Sequence, residues 1–238
     1  KKLFGINDTL NCLIDLFDNN MLPNKILLSG QKGVGKSTLA YHLINYIFSK
    51  NEEHKYDKIN YCINDKNRSF ILMSNYSHPN FYLIDINNEK KTIDINQIRD
   101  LISKLRNYSF DNKPRFVLID NIEFLNINSI NALLKILEEP NDNIIFVLIN
   151  NNKKILSTLM SRCINFKIFT TNEQTLDITN RILNEKIENF LNRELIFYYN
   201  SPGNLLRLVE FSKLYKYDLT QVDLKEFLNI IIKENHYK

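Results

Sequence analysis

Lys25-Ile-Leu-Leu-Ser-Gly-Gln-Lys-Gly-Val-Gly-Lys-Ser-Thr-Leu-Ala40 joins an apolar run, a glycine-rich loop and the start of a helical pattern without interruption. Within it, Gly30 to Ser37 fills every fixed position of the pattern G-x-x-x-x-G-K-[ST]. A polyphosphate needs several N–H donors converging on it and no side chains in the way. Gly30, Gly33 and Gly35 permit the close approach and positive φ values this requires. The helix that opens behind them presents free N–H groups and the positive end of its dipole to an anion. Three of the five glycines of the chain lie in this loop, which disfavours an unliganded strand-to-helix turn. Gly30, Gln31, Lys32, Gly33, Val34 and Gly35 are therefore expected to wrap the phosphates of a nucleotide. Lys36 supplies a point charge, Ser37 a hydroxyl for Mg²⁺, and Thr38 a further phosphate contact.

A second strand carries the partner of that metal. Arg115-Phe-Val-Leu-Ile-Asp120 is an apolar run ending in a carboxylate. Parallel strands buried on both faces read as continuous apolar runs, and their carboxyl ends form the ligand edge of the sheet. Asp120 is placed there to reach Mg²⁺, directly or through water.

Working outward, strands alternate with helices. Helical spacing covers Thr9 to Phe17 with Asp8 as its cap, 37–48 behind the loop, and 95–107 with Ile98, Leu101 and Leu105 on one face. It returns at 128–140, where Ile130, Leu133, Leu134 and Leu137 form a stripe between a capping Asn128 and a terminating Pro140. Residues 49–69 are polar and read as irregular. Asn80 to Asp85 and Ile144 to Ile149 read as strands, as does Cys163 to Phe169 behind a helix-like 154–160. A turn at Asp111-Asn-Lys-Pro114 precedes the Asp120 strand. Beyond Phe169 the strand signals stop. Residues 171–187, 187–199, 204–214 and 223–233 read as helices, with Ser201-Pro-Gly203 a turn before the third. The expected fold class is α/β, a three-layer parallel sheet followed by a small all-helical domain, with the boundary near residue 170.

Composition narrows the setting. Of 238 residues, 44% are hydrophobic and 24% charged, as in ordinary globular proteins. A net charge of +4 permits contact with nucleic acid without demanding it. No apolar run approaches a membrane span and no secretory signal is present, so a cytoplasmic location is expected. Cys12, Cys62 and Cys163 stand far apart with no C-x-x-C pair, and the four histidines form no ligand spacing, so neither a zinc site nor a disulfide framework is expected. The chain starts at Lys1-Lys2 without Met, which leaves open a missing or processed N-terminus.

Two further segments carry a family resemblance. Asn131-Ala-Leu-Leu-Lys-Ile-Leu-Glu-Glu-Pro140 and Ser161-Arg162-Cys163 follow the Asp120 strand in that order. They resemble the N-A-L-L-K-x-L-E-E-P segment and the S-R-C motif of bacterial DNA polymerase III clamp-loader subunits, which are AAA+ proteins. Leu3-Phe-Gly5, His78-Pro-Asn80 and Ser201-Pro-Gly203 resemble smaller features of the same family. The likeness spans nearly the whole chain. It implies an AAA+ nucleotide-binding domain over 1–169, a helical lid over 170–212, and the start of a truncated collar-like region over 213–238.

Within that family the chain looks most like the delta-prime branch. Gamma/tau motor subunits carry Asp-Glu where this chain has Asp120-Asn121, and an amide cannot serve as a general base for the attacking water. By the resemblance, ATP and Mg²⁺ occupy the loop, Ser37 and Asp120. Arg162 is an arginine finger acting in trans on the γ-phosphate of a neighbouring subunit. Asn150 matches the sensor-1 position, and Gly203 stands where motor subunits carry a sensor-2 Arg. Lys90 and Lys91 resemble DNA-contacting positions. The implied partners are gamma/tau-like and delta-like subunits, the sliding clamp and primer–template DNA, with no membrane. Two readings remain: an interaction subunit of a hetero-oligomeric clamp loader, or an ATP-hydrolysing motor of the gamma/tau type or another AAA+ ATPase.

Overall fold

The computed structural model describes residues 1–86, 92–106, 113–138 and 143–235. Lys90, Lys91, the first two residues of the turn at 111–114 and the Pro140 helix stop lie outside the described residues. The chain divides into two units: Lys1–Gly30 with Lys36–Ile168, and Gln31–Gly35 with Phe169–Lys238.

The first unit is built on five parallel strands: β1 (Lys25–Ser29), β2 (Phe81–Ile84), β3 (Arg115–Ile119), β4 (Ile144–Asn150) and β5 (Ile164–Lys167), in the order β2-β3-β4-β1-β5. Every residue of β3 and β4 is buried, as central strands covered on both faces must be. β5 lies at an edge with most of its residues exposed. α1 (Asn7–Asp18) and α2 (Lys36–Ser49) pack against each other. α4 (Ile95–Arg106) and α5 (Ile127–Glu138) bury Ile98, Leu101, Leu133 and Leu137 in a core shared with Val117, Ile119, Phe146 and Leu148. A strand order that places β1 and β3 on either side of β4 brings the carboxyl ends of all three together.

Several local expectations are corrected. Asp8 does not cap α1: Ile6 precedes the helix with no side-chain cap bond, and Asp8 lies in the first turn, where its charge still suits the dipole. Asn128 does not cap α5, because the helix starts one residue earlier and Asn126 Oδ1 accepts from Ser129 N–H at 2.8 Å. The irregular stretch ends sooner than expected, in α3 (Arg68–Ser74), where Asn67 accepts from Phe70 N–H. Only Ser157–Met160 of 154–160 is helical (α6).

Burial of α2 carries a pH consequence. His42 is 2% exposed, its Nδ1 lies 2.8 Å from the Tyr56 hydroxyl, and burial brings it down from 6.5 to about 4. Between these values the unfolded chain holds a proton that the folded chain does not. Stability is therefore complete above pH 6.5 and falls as pH drops toward 4, by roughly 3 kcal/mol in all. Urea melts of His42→Phe across that range are expected to show a shallower acid slope than the parent chain.

In the second unit, α7 (Asn172–Leu183) opens with a reciprocal capping box between Thr171 and Gln174 and stops at Asn184 in the left-handed region, φ 56°. The single helix expected over 187–199 is a 3₁₀ turn (Ile187–Asn189) followed by α8 (Arg193–Tyr198), capped by Asn192. α9 (Pro202–Tyr215) begins with Pro at the position where a missing N–H costs nothing. α10 (Leu224–Lys233) is capped by Asp223. Ile187, Leu195, Leu205, Leu219 and Phe227 share one core.

Candidate nucleotide site

Gly30 continues β1. Its N–H donates to Asn150 O at 3.2 Å, and the next pairing runs from Ile168 N–H to Ser29 O at 2.7 Å. A Cβ on Gly30 would lie 2.1 Å from the Ile168 carbonyl oxygen, so glycine here is demanded by the closing of the sheet around the loop. Gly33 and Gly35 have φ of 89° and 96°, the left-handed region that favours glycine.

Lys36 is 3% exposed, and its Nζ donates to Gly30 O at 2.9 Å, across the base of the loop. Burial brings its ammonium down to about 8, against the opposing charges of Asp120 and Glu123. Ser37 Oγ donates to Asp120 Oδ2 at 2.5 Å. Burial lifts the Asp120 carboxyl above the ordinary carboxylate range; the Ser37 bond works against this, and the nearby Asp85 adds to it. Thr38 is exposed on the first turn of α2. The Ser37–Asp120 contact places a hydroxyl and a carboxylate oxygen side by side, a donor pair that suits Mg²⁺, which takes few protein oxygens and completes its shell from phosphate and water. Among the described residues no cluster of three or more His, Cys, Asp or Glu could cage a metal by itself.

Asn121 adopts φ 56° and tethers the edge of the sheet. Its Nδ2 donates to Asp85 Oδ1 at 2.7 Å, and its Oδ1 accepts from Asn151 Nδ2 at 2.8 Å. Asn151 also donates to both carboxylate oxygens of Glu123, through Nδ2 at 3.0 Å and its main-chain N–H at 3.3 Å. Asn150, at the end of β4, turns onto its own loop: Nδ2 donates to Lys153 O at 2.9 Å and Oδ1 accepts from Lys153 N–H at 3.3 Å. Sequence reasoning passed over Asp85 and Asn151. Asp85 carried a readable signal, since Phe81-Tyr-Leu-Ile-Asp85 ends an apolar strand in a carboxylate just as the Asp120 strand does.

Within the second unit, the loop tip is bound by Asn200, Ser201 and the first turn of α9, which starts at Pro202 and not after a turn at 201–203. Ser201 Oγ donates to Lys32 O at 2.8 Å, Gly203 N–H to Gly33 O at 2.9 Å, and Gln31 Nε2 to Asn200 Oδ1 at 2.6 Å. A Cβ on Gly203 would lie 2.8 Å from Gly33 Cα.

Arg162 lies elsewhere. It precedes β5, at the amino edge of the sheet, opposite the edge that carries Lys36 and Asp120. Its Nη1 donates to Thr158 O at 2.7 Å and its Nη2 to Glu138 Oε1 at 2.5 Å; the side chain is 33% exposed.

The parallel five-stranded sheet, with its glycine loop and paired Ser37 and Asp120, defines an α/β P-loop module. Two solved structures share this fold: a DNA polymerase III gamma subunit-related protein of Thermotoga maritima (TM-score 0.53, 18% identity, covering 85% of this chain and 57% of that one) and the RuvB Holliday junction branch migration motor of the same organism (TM-score 0.50, 16% identity, 95% and 67%). The family described as "DNA polymerase III, delta subunit" matches residues 5–172. A DNA polymerase III subunit delta' from Buchnera aphidicola subsp. Baizongia pistaciae is 28% identical over 228 residues, 90% of this chain and 66% of that protein. The chain belongs to the DNA polymerase III delta-prime subunit family, related to the gamma/tau clamp-loader subunits. It spans less than two thirds of the length of the curated relatives it matches first. No helix among the described residues is long and apolar enough to cross a membrane.

Proposed function

We propose that the chain is a delta-prime-like clamp-loader subunit. It binds ATP with Mg²⁺ at residues 30–38 and Asp120, and it lends Arg162 to the ATP of a neighbouring subunit, so that the assembly loads a sliding clamp on primer–template DNA in the cytoplasm. The observation that carries this reading is the separation of the two elements. Lys36 and Asp120 lie at the carboxyl edge of the sheet and Arg162 at the amino edge, so a phosphate met by Arg162 belongs to another molecule. The same reading assigns 1–169 to the nucleotide domain and 170–212 to a lid.

A bound Mg²⁺ would be held by Ser37 and Asp120 and would neutralise phosphate charge. The loop amides would orient the phosphates, and Lys36, which rests on Gly30 O, would supply the cation beside them. Asn121 offers no base in place of a glutamate and is tied to Asp85 and Asn151, which favours an interaction subunit over a hydrolysing motor.

Calorimetry tests the site. Mg·ATP is expected to bind the chain, and Lys36→Ala to weaken it by about ten- to a hundredfold, the worth of roughly 1.5–3 kcal/mol for a charge-assisted contact. Because bound phosphate favours the charged ammonium, affinity is expected to decline as pH rises through about 8. Co-elution with gamma- and delta-like subunits in gel filtration tests the assembly, and absence of a complex at micromolar protein would overturn it.

A further inference from the structure

We infer that this site takes nucleoside diphosphates and triphosphates with nearly equal affinity: it grips the phosphates next to the nucleoside and does not read the third. The inference rests on the nucleotide reading above and deepens it. The side chains at the carboxyl edge that could meet a terminal phosphate are engaged with protein. Asn150 uses both ends of its amide on the main chain of Lys153. Asn121 uses both ends of its own on Asp85 and Asn151. Turning either toward a ligand breaks two hydrogen bonds for one gained, which leaves no net reward for an added phosphate. The remaining groups of this network, Asp85 and Glu123, are carboxylic acids, and their negative charge opposes a further anionic group.

Within the second unit, position 203 adds no charge to the loop. The first turn of α9 meets the loop through glycine: Gly203 N–H donates to Gly33 O, and a side chain at 203 would collide with Gly33 backbone. No cation can project from position 203 without displacing the loop. Lys36 remains as the charge at the base of the loop, and it serves the second phosphate as well as the third.

Titration calorimetry of the intact chain with Mg·ADP, Mg·ATP, a non-hydrolysable imido analogue of ATP, and AMP decides the matter. The diphosphate and both triphosphates are expected within about fivefold of one another, a difference of about 1 kcal/mol, and AMP at least about a hundredfold weaker. A triphosphate bound more than about thirtyfold tighter than ADP overturns this inference and leaves the nucleotide reading standing. No heat from any of the four overturns both.

Discussion

Arg162→Ala is expected to lower the ATPase of the neighbouring subunit in the assembled clamp loader by about a thousandfold, at the lower end of what an arginine finger supplies to phosphoryl transfer. The guanidinium is always charged and donates in a planar fork, which suits the equatorial oxygens of a transferring phosphoryl group. In the isolated chain, two arms of that fork rest on Thr158 O and on Glu138. The pair is exposed at Glu138 and a third exposed at Arg162, so it contributes at most about 1 kcal/mol and gives way readily to a phosphate. The substitution is therefore expected to leave the melting of the chain nearly unchanged while it disables the neighbour. Steady-state turnover of the reconstituted assembly, beside a melt of the free chain, separates the two effects. Undiminished turnover in an assembly that still forms would falsify the trans role.

Gly30→Ala is expected to destabilise the first unit by about 4 kcal/mol or more, because the added Cβ meets main chain that cannot rotate away. The obstruction is the Ile168 carbonyl oxygen at 2.1 Å. Ile168 is fixed by its own N–H to Ser29 O, and Gly30 by its N–H to Asn150 O, so relief requires β1 to part from a neighbour. Urea unfolding followed by circular dichroism should show a lower midpoint at an unchanged slope. A midpoint within experimental scatter of the parent chain would show that the sheet edge yields locally.

These two sites differ in how far the amino-acid string betrays them. β1, β3 and β4 were readable because strands covered on both faces must be continuously apolar, and the loop because its glycines and Lys36 follow a fixed spacing. The stripe of α5 was equally plain, although its cap at Asn126 lay two residues from the expected one, since Asn126 and Asn128 stand on either side of Ile127 and compete for that role. α3 escaped notice: it is seven residues long and follows a polar stretch, and short helices draw their stability from packing more than from pattern. The engagement of Asn121 with Asp85 and Asn151, the turning of Asn150 onto Lys153, and the meeting of Gly33 with Gly203 join residues far apart or choose among adjacent asparagines. Such choices are made by tertiary geometry, and periodicity does not carry them.

The strand order also governs how the molecule comes into being. β1 leaves the ribosome before both of its neighbours, β4 and β5: Lys25 pairs with Phe146 and Ile26 with Ile164. Until those late segments emerge, the stretch that ends in the glycine loop has no ladder to join, and closing so long a separation is entropically slow. A nucleotide added during refolding is thus expected to stabilise the folded sheet without hastening its first steps.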